Sequence, residues 1–484
     1  MGDLTLADVI EGLTGQKITA PHPINRVVID SRQAGEGDLF VALPGEHHDG
    51  HDFVPDAFAR GAIAAVVHRP VAGHPPAQVI DTRGDTPAVV TALPVCIQVE
   101  DSLAGLQKLA AFWRSRHSPR VIGITGSVGK STTKELVWNV LSTRYRTLKN
   151  PGNLNNEIGL PLTLTELTAE HERVVLEMGM YALGEIAQLC RIARPHVGVV
   201  TNVGPTHLER LGSIERIAQA KSELVQALPS ADEGGVAVLN YDDPLVRPMT
   251  YQTRARVVTY GLSPEADLWA DNVTSTGLEG IRFTFHYQGE DIHARVPLLG
   301  RHSVHTALRA ALVGLVEGLA WDEIIAGLQT LPETTQLRLV AAPGPNGSTV
   351  LDDTYNASPA STIAALNLLD DLTAYRKVAV LGDMLELGSY EEEGHRKVGC
   401  RAADVVDLLI TIGPRARWIA EEAIACGLTA DAVRQVESNQ EAIAFLQDYL
   451  GPNDVVLVKG SNALHLDEIV SALARQGKRT DRKA

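Results

Sequence analysis

The chain is poor in aromatic residues: only 5% of its 484 positions are Phe, Trp or Tyr, which leaves no stacking platform for single-stranded nucleic acid. It also lacks a surplus of positive charge. With 59 Asp and Glu against 43 Lys and Arg, a net charge of -16 repels a phosphate backbone over most of the surface. Nucleic acid is therefore excluded as a partner, and small anions must be caught by local positive sites. Cysteine is scarce as well. Cys96, Cys190, Cys400 and Cys426 are scattered without C-x-x-C spacing, which predicts reduced packing thiols in a reducing compartment. No stretch approaches the ~18 uncharged apolar residues of a membrane span. The start, Met1-Gly-Asp-Leu-Thr-Leu-Ala-Asp8, is acidic and has neither the basic region nor the apolar core of a secretion signal, so a cytoplasmic protein without membrane insertion is expected. Internal repeats, heptad arrays and low-complexity tracts are absent too.

What is present is an ordinary globular composition, 44% hydrophobic, on a length that predicts about three domains. Residues 1–98 hold short apolar runs, Arg26–Asp30, Leu39–Leu43 and Ala62–Val67, cut by Gly and Asp turns, with Pro70–Pro94 reading as a surface insertion. Residues 99–335 alternate strand and helix: Val121–Thr125 before a helix from Lys130, Val174–Glu177 before Ile186–Ile192, Val197–Asn202 before Ser213–Leu228, then Val236–Asn240. That order calls for right-handed crossovers and a mostly parallel sheet. From 252 to 298 the pattern becomes β-branched and alternating, which predicts an antiparallel excursion before a helix near His302–Leu319. Residues 336–484 carry strand candidates at Thr349–Asp353, Val378–Leu381, Leu408–Ile412 and Val455–Lys459, each followed by helical pattern. The fold class is thus α/β in three domains, with a central P-loop parallel-sheet domain and a Rossmann-like doubly wound C-terminal domain whose ligands sit at strand C-terminal ends. The polar, basic tail Gly477–Ala484 is assigned no role.

The run Val121-Ile-Gly-Ile-Thr-Gly-Ser-Val-Gly-Lys-Ser-Thr-Thr133 has the anatomy of a phosphate cradle, a buried strand running through a glycine-rich loop into a helix. Gly126 and Gly129 let the backbone aim N–H groups inward, Lys130 supplies a mobile cation, and Ser131 offers a hydroxyl to a phosphate-bound Mg²⁺. Ile124 stands where the eight-residue Walker spacing needs Gly, so this is the shorter G-x-x-G-K-S form. Gly126, Ser127, Val128, Gly129, Lys130, Ser131 and Thr132 are the nucleotide-binding candidates.

Chemistry gathers where strands end. Glu177 closes an apolar strand, a costly place for a carboxylate unless it is paired or metal-bound. His207 follows a second strand through a Gly-Pro turn, and both lie at the sheet edge that carries the phosphate loop. Lys221 occupies a step of the apolar stripe Ile214, Ile217, Leu224 and Leu228. An ammonium there is poorly solvated, which favours the free amine, and a free amine can take up CO₂ to become an anionic carbamate able to bind Mg²⁺. The other reading of the same pattern is a lysine snorkelling out past Ser222.

These residues resemble the ATP-dependent Mur ligases from about residue 26 to about residue 470, and most closely the branch that adds D-alanyl-D-alanine to UDP-N-acetylmuramoyl-tripeptide. Asp30-Ser-Arg32, Gly37–Leu43 and Asp49-Gly-His51 are similar to the family's UDP-sugar domain, which implies substrate roles for Ser31 and Arg32. Asn153–Pro161, with Asn156, is similar to its next central motif. The resemblance implies that Glu177, His207 and carbamylated Lys221 bind two Mg²⁺ ions with Ser131. It further implies that Asn240 and Arg338 contact the nucleotide, and that Asp353 meets ATP when the domains close. It puts the dipeptide at Tyr355 and Asn356, in a segment particular to this branch together with Leu381–Gly388. Lys130, His207 and Lys221 are the implied catalytic residues, and a monomer is the implied assembly.

The chain departs from the family pattern at Ser303 and His305, where two asparagines are usual near the base, and at Asn462, where Lys-Gly-Ser-Arg is usual. The implied reaction makes an amide through an acyl phosphate, with Lys130 and two Mg²⁺ neutralising charge at the transferred phosphoryl group. A folylpolyglutamate- or cyanophycin-type ligase on the same ATP domain, and a scaffold that binds ATP without turnover, remain as other readings of the same residues.

Overall fold

A computed structural model describes residues 3–45, 47–71, 78–84, 89–331 and 339–480. Three sheets organise it, and each grows from short Val- and Ile-rich runs that bury both faces, as parallel strands must.

The first sheet has five parallel strands, β1 (Val27–Val28), β2 (Leu39–Val41), β3 (Ala64–Val67), β4 (Gln78–Asp81) and β5 (Val95–Gln98), in the order β1-β2-β3-β5-β4. The Pro70–Pro94 run is therefore no mere insertion. Its Gln78–Asp81 stretch is an edge strand in register with Val95–Gln98, and among its four residues only Ile80 is buried, too little apolar signal to stand out between prolines. Parts of that run, 72–77 and 85–88, lie outside the described residues.

The second sheet has nine strands: β6 (Arg120–Thr125), β7 (Thr147–Lys149), β8 (Arg173–Glu177), β9 (Val197–Val200), β10 (Val236–Asn240), β11 (Arg256–Gly261), β12 (Leu268–Ser275), β13 (Ile281–Tyr287) and β14 (Glu290–Val296). Their order is β14-β13-β12-β11-β10-β9-β6-β8-β7. The antiparallel excursion is narrower than its sequence pattern suggests. β11 still runs parallel to β10, and β12 parallel to β11, so that only the β12–β13 and β13–β14 pairs are antiparallel. β6 lies between β8 and β9, pairing Ile124 with Glu177 on one side and with Val199 on the other. One apolar cluster covers a face of this sheet with the helices Lys130–Ser142, Val304–Val316 and Trp321–Gln329. A second runs from Leu4 to Leu224 and joins the first sheet to the helices Ser102–Ser115, Gly159–Thr165, Glu185–Ala193 and Ile214–Gln226.

The third sheet holds the four anticipated strands, β16 (Thr349–Asp353), β17 (Lys377–Gly382), β18 (Leu408–Ile412) and β20 (Val455–Lys459). It also holds two edge strands, β15 (Val340–Pro343) and β19 (Val433–Val436), in the order β15-β16-β20-β17-β18-β19. Both additions are largely exposed and lack an apolar run. The expectation of four reduced thiols fails for one pair. Cys400, on the helix Glu391–Ala403, and Cys426, capping the helix Arg417–Ala425, form a disulfide with Cα atoms 5.3 Å apart, because side-by-side helices bring together residues 26 apart in sequence. Cys96 and Cys190 are buried free thiols, each pushed up to about 12 by desolvation. Among the described residues, no helix is long and apolar enough to cross a membrane.

Candidate active site

The glycine loop is clamped to the end of β9. Ser127 N–H donates to Asn202 O at 2.9 Å, Val128 N–H donates to Asn202 Oδ1 at 2.9 Å, and Thr201 Oγ1 donates to Val128 O at 2.8 Å. Gly126 must be glycine: its φ is +146°, and an added Cβ would lie 1.8 Å from Thr201 Oγ1. Thr201 and Asn202 are thus part of the cradle, although their sequence signal was only a strand end. Lys130 opens the following helix and folds its Nζ over the loop, 2.8 Å from Gly126 O, a pose that an incoming phosphate can replace. Ser131 is buried and Thr132 half-buried in the same first turn.

Glu177 ends β8 fully buried. Asn150 fixes its backbone from both sides, and Asn155 Nδ2 donates to Oε1 at 2.8 Å. Oε2 is buried and has no hydrogen-bond partner, an arrangement that costs free energy unless a cation completes it. His207 sits in the left-handed region (φ 58°) at the start of the turn Leu208–Leu211. Its Nδ1 lies 2.6 Å from Glu386 Oε2, within ion-pair range though outside good hydrogen-bond angles. Burial pushes this imidazole below its ordinary pKa, Glu386 opposes that shift, and the nearby Lys130 and Lys221 charges add to it.

Lys221 settles the choice that its sequence left open between burial and snorkelling. It is 2% exposed, and Ser222, the route out, is only 1% exposed. No salt bridge among the described residues involves Lys221. Desolvation, helped by the Lys130 charge, holds its amine well below the usual lysine range.

Lys130, Glu177, His207 and Lys221 line one cleft of about 230 Å³, together with Asn156, Tyr355 and Asn356. The anticipated site residues that converge therefore come from the central sheet and from the loop after β16. Ser131 lines a neighbouring cavity with Lys134, Tyr355 and Asn462. Asp353 ends β16 and pairs with Lys459 at 2.6 Å. Asn240 ties its own turn to the end of β9, donating to Thr201 O at 3.0 Å and accepting from Asp242 N–H at 3.1 Å, and it does not line the cleft. Ser31 and Arg32 lie away from it as well, on the first sheet's loops, where the exposed Arg32 pairs with Asp30 at 2.7 Å. Arg338 lies outside the described residues. His305 pairs with Asp242 at 2.9 Å beside the β10 turn.

Sequence reasoning missed two acting groups. Glu386 stands in the sequence only within Leu381–Gly388, and Lys459 only as the end of the strand candidate Val455–Lys459. Their signal, a charge at the end of an apolar strand or in its following loop, was the same one that exposed Glu177.

The donor set can be tested against a divalent cation. Among the described residues no three His, Cys, Asp or Glu side chains gather into a ready-made metal site. The orphaned Glu177 oxygen and the His207 imidazole line the cleft with Lys221, so the set fits Mg²⁺ once a further anionic oxygen is supplied.

Three family models match the chain: "Mur ligase family, catalytic domain" over residues 23–114, "Mur ligase middle domain" over 124–314, and "Mur ligase, glutamate ligase domain" over 337–462. The UDP-N-acetylmuramoyl-tripeptide--D-alanyl-D-alanine ligase of Bacillus subtilis is 36% identical over 470 residues, covering 97% of each chain. The chain belongs to the Mur ligase family. The Escherichia coli ligase of the same name is 34% identical over 484 residues, covering 99% of this chain and all of its own. Among solved structures, MurF from Acinetobacter baumannii superposes with a TM-score of 0.83 at 28% identity, covering 97% of this chain and 98% of its own. MurF ligase from Thermotoga maritima in complex with ADP gives 0.77 at 28%, covering 97% and 99%. This Mur ligase is an α/β enzyme of the ATP-dependent ligase class, as the motifs anticipated.

Proposed function

We propose that this Mur ligase joins D-alanyl-D-alanine to UDP-N-acetylmuramoyl-tripeptide at the expense of ATP, releasing ADP and phosphate for peptidoglycan precursor synthesis. The supporting observation is the single cleft that collects a phosphate-loop lysine, a buried acid, a histidine and a desolvated lysine against Tyr355 and Asn356 of the loop after β16. The full-length relatives named for that reaction add to it.

The chemistry follows from the residues. An amide cannot form directly from a carboxylate, because oxide is a poor leaving group. The tripeptide carboxylate oxygen forms a bond to the γ-phosphorus of ATP while the bond to the β-phosphate oxygen breaks, giving an acyl phosphate and ADP. Lys130, swinging from the Gly126 carbonyl to the phosphates, and the loop N–H groups of Gly129–Thr132 balance the charge that builds on the transferred oxygens. The dipeptide amine, held by Tyr355 and Asn356, then attacks the acyl carbon, loses a proton and expels phosphate. Asp353 and Arg338 are assigned to the nucleotide side on domain closure, Asn240 to shaping the β10 turn beneath it, and Ser31, Arg32 and Asn156 to the UDP-sugar substrate.

Glu177, His207, Ser131 and Lys221 are the residues that would hold two Mg²⁺ ions, with the Lys221 amine first converted by CO₂ to a carbamate. When bound, the ions supply Lewis-acid charge neutralisation at the phosphoryl group. We assign residues 1–98 to the UDP-sugar, 99–335 to ATP and 336–484 to the dipeptide, in a monomeric, cytoplasmic enzyme.

The test is ADP release with UDP-N-acetylmuramoyl-tripeptide and D-alanyl-D-alanine, with product identified by mass. Lys130→Ala should lose at least ~100-fold in kcat. Unchanged ADP formation in that variant, or no ligated product from the unaltered enzyme, would overturn the assignment.

A further inference from the structure

We infer that Glu386 is a positioning residue through which the C-terminal domain sets the His207 imidazole, so that the metal-facing side of the cleft is completed only when the two domains are docked. The inference rests on the reading of His207 as a ligand-bearing residue of the cleft, and it starts from where Glu386 comes from. His207 follows β9 of the central sheet, whereas Glu386 follows β17 of the third. They meet at 2.6 Å between His207 Nδ1 and Glu386 Oε2.

The contact is built on both sides. Glu386 is a non-glycine residue in the left-handed region, φ 64°. That conformation is uncommon outside glycine and persists when neighbours over-determine it. Two anchors lie just upstream: Met384 N–H donates to His395 Nε2 and Leu385 N–H to Ser461 Oγ, each at 2.9 Å. Just downstream Gly388, at φ 54°, presses against the partner turn, so that an added Cβ would stand 3.0 Å from Glu209 Cα and N. Glu209 N–H reaches back to Glu386 O at 3.4 Å. On the other side the His207 ring packs edge-on to Tyr181 at 5.0 Å, and Arg210 covers the Tyr181 ring at 4.6 Å.

The chemistry of the pair gives it a purpose. A neutral imidazole has one N–H and one lone pair. A carboxylate 2.6 Å from Nδ1 favours the proton on that nitrogen by charge, and a small turn of the ring would make the contact a hydrogen bond, leaving the Nε2 lone pair as the ligand atom, the arrangement in which a carboxylate orients a metal-binding histidine. An ordinary surface ion pair contributes little and would set no tautomer. Here the acid arrives on a separate domain that also carries Tyr355 and Asn356. Carboxylate activation on the central domain is thereby linked to docking of the domain that delivers the amine, which restrains wasteful hydrolysis of the acyl phosphate.

The experiment uses the full-length protein. In the metal-free enzyme, ¹⁵N ring spectroscopy should show His207 protonated at Nδ1, and Glu386→Ala should shift it to a mixture of tautomers. Mn²⁺ binding by calorimetry should weaken ~10–100-fold, and kcat should fall by a similar factor with the dipeptide KM little changed. Glu386→Gln, which keeps an acceptor, should recover part of both. Gly388→Ala keeps the carboxylate but wedges the loops apart, and it should reproduce the tautomer shift. If Glu386→Ala and Gly388→Ala both leave tautomer, Mn²⁺ affinity and kcat unchanged while the unaltered enzyme ligates normally, the inference is overturned. Absence of ligation by the unaltered enzyme would instead count against the proposed function.

Discussion

Lys459 Nζ lies 2.6 Å from Asp353 Oδ2 and 2.8 Å from the carbonyl of Asn356, so one buried cation ties the end of β20 both to the end of β16 and to the loop that follows it. Lys459 is 2% exposed and Asp353 9%. Removing the cation from such a buried pair destabilises the fold. Lys459→Met should therefore lower the unfolding midpoint in urea and, by freeing the Asn356 backbone, raise the dipeptide KM more than the ATP KM. Equal effects on the two KM values, with stability unchanged, would show that the lysine merely fills space.

Glu177 should respond to substitution with opposite signs in two measurements. Its Oε2 is buried without a hydrogen-bond partner, so Glu177→Gln removes a buried charge faced by the Lys134 charge while keeping the oxygen that accepts from Asn155. Without metal, the variant should be more stable by about 1 kcal/mol. With Mg²⁺, turnover should fall at least ~10-fold. A variant destabilised without metal would mean that the buried Lys134 charge already compensates the carboxylate.

Much of this was legible in the sequence because strong physical constraints leave local marks. The run Val121–Thr133 could be little other than strand, cradle and helix, and the Val-Val-Leu before Glu177 announced a buried strand with a charge at its end. The edge strands were not legible: Val340–Pro343, Val433–Val436 and Gln78–Asp81 pair along one side only and need no continuous apolar run. Contacts between elements were equally silent. Nothing near His207 in the chain announces Glu386, and the Cys400–Cys426 pairing depends on how two helices pack. The fate of Lys221 was undecidable for the same reason. Its helical phase was evident, but only packing shows that its neighbour Ser222 is sealed as well.

Lys221→Met should separate charge from shape. The side chains are similar in volume, and the native amine is almost fully buried without a salt bridge among the described residues. Stability should stay level or rise by about 1 kcal/mol, whereas ligation should fall at least ~100-fold through loss of the proposed carbamate ligand. If a carbamate forms, ¹³C-labelled bicarbonate should give a carbamate resonance in the unaltered enzyme and none in the variant. Full activity in CO₂-free buffer after prolonged exchange would exclude the modification.

The pH dependence of stability should carry the signature of His395, which is fully buried, accepts from Met384 N–H at Nε2 and contacts Glu391 O through Nδ1 at 2.6 Å. Burial pushes its pKa below the ordinary 6.5 despite the favourable influence of Glu391 O and Asp383. The folded protein thus holds the neutral ring while the unfolded chain takes up a proton below 6.5. With more protons bound in the unfolded state, stability is fully present above pH ~6.5 and falls as pH drops toward the folded pKa, by at most ~1.4 kcal/mol per unit for this group. Protonation would also remove the acceptor that anchors Met384 and, through it, the loop presenting Glu386. Urea midpoints measured between pH 7.5 and 5.5 should decline for the unaltered protein and decline less for His395→Gln. The remaining slope should come in part from His51, whose pKa burial also lowers. Identical slopes in the two proteins would mean that His395 is not held neutral by the fold.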